Sequence, residues 1–326
     1  MNPRRLTLKT TGFALSAIAA VAILSVIASA QTKLTYSQAR MAHPDWVQVP
    51  GELIRPDCVH ALPNGAAISI GKGSAGEDVM LNGVLIAHYD ACPEAPILTR
   101  PSSTGEGLLQ DPGTGNGWVE ASQWLASLGS GDNMDLLQGT WTVPSNPGTN
   151  GALIYLFNGI EPSNFSWILQ PVLQYGYGSV NGGGNYWGIA SWLVGSSAYY
   201  SPLESVNSGD KLTGYTKIIS GNNSNPRWKV DAKDNSTGAF SYLEINTEGG
   251  LQWEWALAGV IEVYGVTSCS EFPSNGKAVF TNPSVDHGYP NFNKLSPSWS
   301  GMYWSYGGPS CKFNVSVGKT NSTLDF

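Results

Sequence analysis

The chain has 326 residues, of which 13% are charged, and a formal net charge of −7 at pH 7. Setting aside Arg4, Arg5 and Lys9 of the first thirty residues leaves 14 Lys+Arg against 24 Asp+Glu, a net of −10. That acidic balance argues against nucleic acid and anionic lipid surfaces as partners.

Residues 1–30 read as an export signal. Arg4, Arg5 and Lys9 form a basic start, Gly12 to Ile27 an apolar run, and Ala28-Ser29-Ala30 a small-residue cleavage pattern. The alternative, a retained membrane anchor, is disfavoured because the run is short for a spanning helix. The mature protein is therefore expected outside the cell, free of the membrane. An exported chain with four cysteines points to two disulfides. Three connectivities are open, and proximity favours Cys58 with Cys92 and Cys269 with Cys311. No Cys-x-x-Cys or His-Glu-x-x-His occurs, so neither a zinc site nor any other metal or cofactor is expected.

Residues 31–92 form a leading segment, with a short helix expected over Tyr36 to Met41. Pro63-Asn64-Gly65 and Asn82-Gly83 are hairpin turns, and Val84 to Tyr89 is a strand. This is a small disulfide-closed β-unit, too small for a large core of its own. Residues 93–117 carry Pro, Gly, Ser and Thr in quantity and read as a linker. From 118 to 326 short strands recur between Gly/Asn/Pro turns: Trp118–Leu125, Met134–Val143, Ala152–Phe157, Ser166–Gln170, Tyr186–Leu193, Lys211–Ser220, Trp228–Asp231, Ala239–Asn246, Trp253–Tyr264, Lys277–Thr281 and Cys311–Val317. That pattern is all-β and fits a sandwich. Leu251 to Val266 has the length of a helix, but Val260, Ile261, Val263 and Val266 argue for a strand.

Histidine chemistry is set aside. The four histidines, at 43, 60, 88 and 287, lie in the leading segment and the tail, and no Gly-x-Ser-x-Gly is present. Two polar side chains in apolar strands are more telling. Gln170 ends the run Phe165–Leu169 just before Pro171, and a buried carboxamide must find partners. Glu262 lies inside Trp255–Tyr264, where desolvation would raise its pKa. Glu254 and Glu244 have similar settings, and seclusion alone does not choose among the three.

Four stretches carry a resemblance. Gln138-Gly139-Thr140-Trp141-Thr142-Val143-Pro144, Phe157-Asn158-Gly159-Ile160-Glu161 with Ile168-Leu169-Gln170, Leu257 to Glu262, and Phe272-Pro273 with Val279-Phe280-Thr281-Asn282 occur in the order of corresponding motifs in the eqolisins, the glutamic peptidases. The resemblance covers roughly Trp118 to Pro283. It implies a concanavalin-like antiparallel double β-sandwich and a monomeric, secreted acid endopeptidase acting on polypeptides. Gln170 and Glu262 match the family's catalytic pair. Phe157, Glu161, Trp141 and Trp192 are the implied groove residues, with Phe157 in place of a Trp and Glu161 in place of an Asp. The plant peptidase neprosin, with two glutamates, is a more distant likeness. A leading segment outside the resemblance is expected either to block the groove as a pro-segment or to be a permanent accessory domain. The competing functions are a carbohydrate- or cell-wall-binding sandwich, whose Trp and Tyr would stack on sugars, and a glycosidase using two facing carboxylates such as Glu254 and Glu262.

Overall fold

A computed structural model describes residues 34–70, 76–101, 115–247, 250–304 and 308–326. The expected signal over 1–30 lies outside the described residues, as do positions 102–114 of the expected linker. The leading part holds α1 (Tyr36–Ala42), β1 (Val47–Val49), β2 (Glu52–Ile54), β3 (Val59–Ala61), β4 (Ala67–Ile70), β5 (Glu77–Leu81), β6 (Val84–Tyr89) and β7 (Ile97–Leu98). After it come β8 (Gly115–Leu125), β9 (Met134–Thr142), β10 (Leu153–Pro162), β11 (Ile168–Gly178), β12 (Gly182–Val194), β13 (Ala198–Tyr200), β14 (Glu204–Val206), β15 (Lys211–Asn222) and β16 (Asn225–Asp234). The chain finishes with β17 (Phe240–Thr247), β18 (Trp253–Val266), β19 (Lys277–His287), β20 (Asn293–Lys294), β21 (Ser300–Tyr303), β22 (Asn314–Val317) and β23 (Asn321–Asp325).

These strands make two large sheets. One runs β21-β8-β18-β10-β11-β12-β13-β3 with β14 on β12. The other runs β22-β23-β19-β9-β15-β16-β17-β4-β5-β6 with β20 on β19. Side-chain alternation sorts the faces. On β10, Ile154 and Leu156 pack with Trp141, Leu212 and Phe280 of the opposite sheet, while Tyr155 and Phe157 pack on the other face with Trp118, Val172, Trp192 and Val260. The first sheet is thus covered on both sides, which is why its strands read as almost continuous apolar runs. Leu251–Val266 is a strand, as its β-branched residues require.

The leading segment does not stand apart. Too small to bury a core, it borrows one: β3 pairs in parallel with β13 of the first sheet, and β4 pairs in parallel with β17 of the second. β5 and β6 continue that second sheet as a hairpin. Asn82 and Gly83 at its turn carry φ of 51° and 79°, the left-handed pair a two-residue hairpin demands. Disulfides join Cys58 to Cys92 and Cys269 to Cys311.

Two expectations need correction. β11 does not stop at Gln170 but runs through Pro171 to Gly178. The ladder between β10 and β11 is interrupted between Phe157↔Val172 and Ile160↔Leu169, and Pro171 falls in that gap, where it need not donate an N–H. Residues 93–117 are also not wholly linker, since they contain β7 and the start of β8.

Candidate active site

The third, small sheet, β1-β2-β7, packs through Val49 and Ile54 on the face of the first large sheet that carries Tyr155 and Phe157. Its β1–β2 hairpin closes on Val49↔Glu52, with Pro50 and Gly51 at the tip. Gly51 has φ +90°, and a Cβ there would lie 3.1 Å from Arg100 Nη1, so glycine is required for both conformation and space. Val49 and Ile54 turn toward the large sheet, whereas Leu53 turns away and packs with Ala39 of α1 and Trp46. The hairpin is therefore a lid with one face on the sandwich and the other held by α1.

Beneath the tip lie Gln170 and Glu262, both with zero exposure. β10 separates their strands. Tyr155 of β10 faces both Glu262 and Gln174, and Gln170 is four positions along β11 from Gln174, about 13 Å at the strand rise. The two side chains therefore reach toward each other diagonally, and they meet on one peptide unit. The Gln170 amide donates to the Pro50 carbonyl at 3.1 Å, and the Gly51 N–H donates to Glu262 Oε1 at 2.8 Å. The Tyr264 hydroxyl also donates to Glu262 Oε1, and the Thr99 hydroxyl stands 2.7 Å from the Tyr264 oxygen. Among the described residues, Gln170 Oε1 and Glu262 Oε2 have no hydrogen-bond partner.

A second group adjoins this pair. Arg100, wholly buried, donates through Nη1 to Glu52 at 2.6 Å and through Nη2 to the Phe165 carbonyl at 2.9 Å. Its Nε stands 3.3 Å from Glu161 Oε2. One guanidinium thus faces three secluded carboxyls, Glu52, Glu161 and Glu262. It cannot neutralise them all, and burial pushes Glu52 up to about 7, Glu161 to about 8 and Glu262 to about 7. Tyr155, Tyr264 and Tyr36 complete the ionisable surroundings.

The sign of the pH dependence follows. A carboxyl whose pKa is higher folded than unfolded binds more protons in the folded state between those two values. Its contribution is full below the unfolded value, near 4.5, and is lost as pH rises through about 7–8. The full-length chain should therefore melt at a higher temperature at pH 5 than at pH 8, and Glu262→Gln should flatten the slope. A higher melting temperature at pH 8 would contradict this placement of the carboxyls.

Of the groove residues expected from sequence, Phe157 and Trp192 lie on the same face as Gln170, and Trp192 pairs with it directly. Glu161 is there too, against Arg100. Trp141 is not. It lies between the sheets, because β9 belongs to the second sheet and turns this residue inward. Nor does the fold join the other carboxylates to Glu262. Glu254 is eight positions along β18, about 26 Å away, and accepts from Gln252 at 2.8 Å. Glu244 belongs to the second sheet and pairs with Arg227. The residues missed by sequence are Gly51, Glu52, Thr99, Arg100 and Tyr264. Tyr264 had a signal, standing two positions from Glu262 on the same strand face, and Pro50-Gly51 is a turn dipeptide. Arg100 had none.

An apolar cavity of about 160 Å³ opens beside the group, lined by Phe165, Trp255, Met302, Trp304 and Pro101, among others. Among the described residues there is no cluster of metal-ligating side chains and no helix long and apolar enough to cross a membrane.

No family profile and no curated protein matches the chain. Solved structures similar to it include a scytalido-glutamic peptidase with a peptide-based transition-state analogue, at 17% identity and a TM-score of 0.47. That match covers 65% of this chain and 98% of that one. Another is SCP-B, a member of the eqolisin family of peptidases in a complex with the tripeptide Ala-Ile-His, at 16% identity and a TM-score of 0.44, with the same coverage.

Proposed function

We propose that the chain is an exported endopeptidase of the glutamic type, held latent by its own leading segment. The observation that carries this reading is the single peptide unit gripped at both ends: the Pro50 carbonyl on the Gln170 amide and the Gly51 N–H on Glu262. A substrate amide laid in the same place would have its carbonyl polarised by a fixed dipole and its nitrogen against a carboxyl group. With the lid withdrawn, Glu262 loses its desolvation and its pKa falls back toward the ordinary carboxylate range, so it is ionised in mild acid. It then takes a proton from a water whose oxygen adds to the carbonyl carbon. As the C–N bond breaks, Glu262 returns that proton to the leaving nitrogen.

The hairpin tip resists this fate for structural reasons. Gln170 and Glu262 are sealed from solvent beneath it, so water has no route to the carbonyl carbon. The Val49↔Glu52 pairing would also hold both halves in place were the bond cut. Release is expected through a cut within residues 93–117, and one that falls after Arg100 separates that residue from the sandwich and frees the lid on one side.

The test is casein hydrolysis by the full-length chain after incubation in mild acid, with the N-terminus of the product determined. Truncation within 93–117 and casein cleavage are expected together. Gln170→Ala should slow cleavage by about 10²–10³-fold, the usual cost of losing an oxyanion donor. An unaltered rate in that variant would remove Gln170 from the mechanism.

A further inference from the structure

The slot that holds Arg100 has three walls. Glu52 belongs to β2 of the hairpin and leaves when the hairpin lifts. The other two belong to the sandwich: the Glu161 carboxylate on β10 and the carbonyl of Phe165 in the turn after it. Glu161 has zero exposure, and among the described residues no other cation pairs with it. Phe165 holds a φ of +57°, an uncommon conformation for a residue with a bulky side chain. Its carbonyl receives Arg100 Nη2 at 2.9 Å. A planar cation that donates through one nitrogen to a main-chain oxygen while another nitrogen stands 3.3 Å from a carboxylate is what guanidinium supplies and an ammonium matches less well.

Withdrawal of the lid removes the Arg100 cation and uncovers that anionic slot on the same face as Gln170 and Glu262. A carboxylate lodged beside Phe165 and Trp255 then lacks a counter-charge, and a ligand carrying a guanidinium restores it. We propose that Glu161 and the Phe165 carbonyl form an arginine-recognising subsite of the groove, so that the substrates are polypeptides with arginine at the position Arg100 now imitates. This rests on the peptidase reading given above. It adds a substrate class, set by a residue on which hydrolysis itself does not depend chemically.

The test has two arms. In the first, full-length Arg100→Ala vacates the slot, and n-propylguanidinium and n-butylammonium are titrated by calorimetry at pH 9, above the value of about 8 to which burial pushes Glu161. Saturable binding of propylguanidinium is expected, about tenfold or more tighter than butylammonium, as a charge-assisted hydrogen bond implies. Wild type should not bind it, and adding Glu161→Gln should abolish binding. Equal affinity for the two probes, or binding that survives Glu161→Gln, overturns the subsite. Arg100→Gln, which fills more of the space, serves if the alanine variant does not fold.

In the second arm, acid-treated wild type is offered paired peptides differing only in arginine or its uncharged isostere citrulline at each position. A kcat/KM about tenfold higher for arginine at one position is expected, and Glu161→Gln should bring the ratio to one. Cleavage of both peptides at equal rates everywhere overturns the subsite and leaves the peptidase reading standing. Probe binding without cleavage of any peptide does the reverse.

Discussion

Glu262→Gln should abolish peptide hydrolysis while leaving the latent fold closed. The replacement keeps an Oε1 where the Gly51 N–H and the Tyr264 hydroxyl donate, so the lid retains its anchor. On the proposed mechanism, what is lost is the group that would take and return a proton. General acid–base catalysis contributes roughly 10²–10⁴-fold, and one carboxyl performing both steps places the expected loss of kcat at the upper end. The measurement is kcat on a casein-derived peptide after acid treatment, with circular dichroism and melting temperature confirming an intact fold. Residual activity within a factor of a few of wild type would show that another group does the chemistry.

Arg100→Met is expected to have the largest effect on latency. The apolar chain fills much of the same volume but strands Glu52 and Glu161, each at 1% exposure or less, with no cation. Removing one partner of a buried ion group costs about 3–5 kcal/mol, which is about 10²–10³-fold or more in the population with the lid raised. The readout is hydrogen exchange at the Gly51 amide, whose N–H is tied to Glu262 only while the lid is down. Exchange should quicken strongly at pH 8 and less at pH 5, where both carboxyls can take up a proton instead. Exchange at the wild-type rate at both pH values would show that Arg100 does not hold the lid.

The sandwich was legible because its signals are local. Alternating strands such as Lys211–Ser220, and the Asn82-Gly83 turn, follow from side-chain period and backbone sterics, which neighbouring residues reveal. Pro171 misled for a related reason. A proline ends a strand unless its missing donor falls where no ladder bond is due, and that depends on an irregularity in β10, a different strand. Trp141 misled because aromatic groove and aromatic core have the same composition, and only sheet membership separates them. Gln170 and Glu262 stood out as polar groups in apolar runs. Glu52 and Arg100 could not stand out, since their partners lie 48 to 61 positions away. Their meaning comes from a long-range docking that no local pattern encodes.

The parallel pairings of β3 on β13 and β4 on β17 carry a consequence for how the protein can be made and used. Deleting everything before residue 118 would strip a neighbour from one margin of each large sheet, exposing rows of unsatisfied N–H and C=O groups that recruit other chains. The excised sandwich should clump, whereas a chain nicked between 102 and 114 keeps both margins guarded by a severed but retained companion. On the proposed reading the working form would be a two-piece molecule, in which the early strands stay as selvedges and only the hairpin beside them lifts.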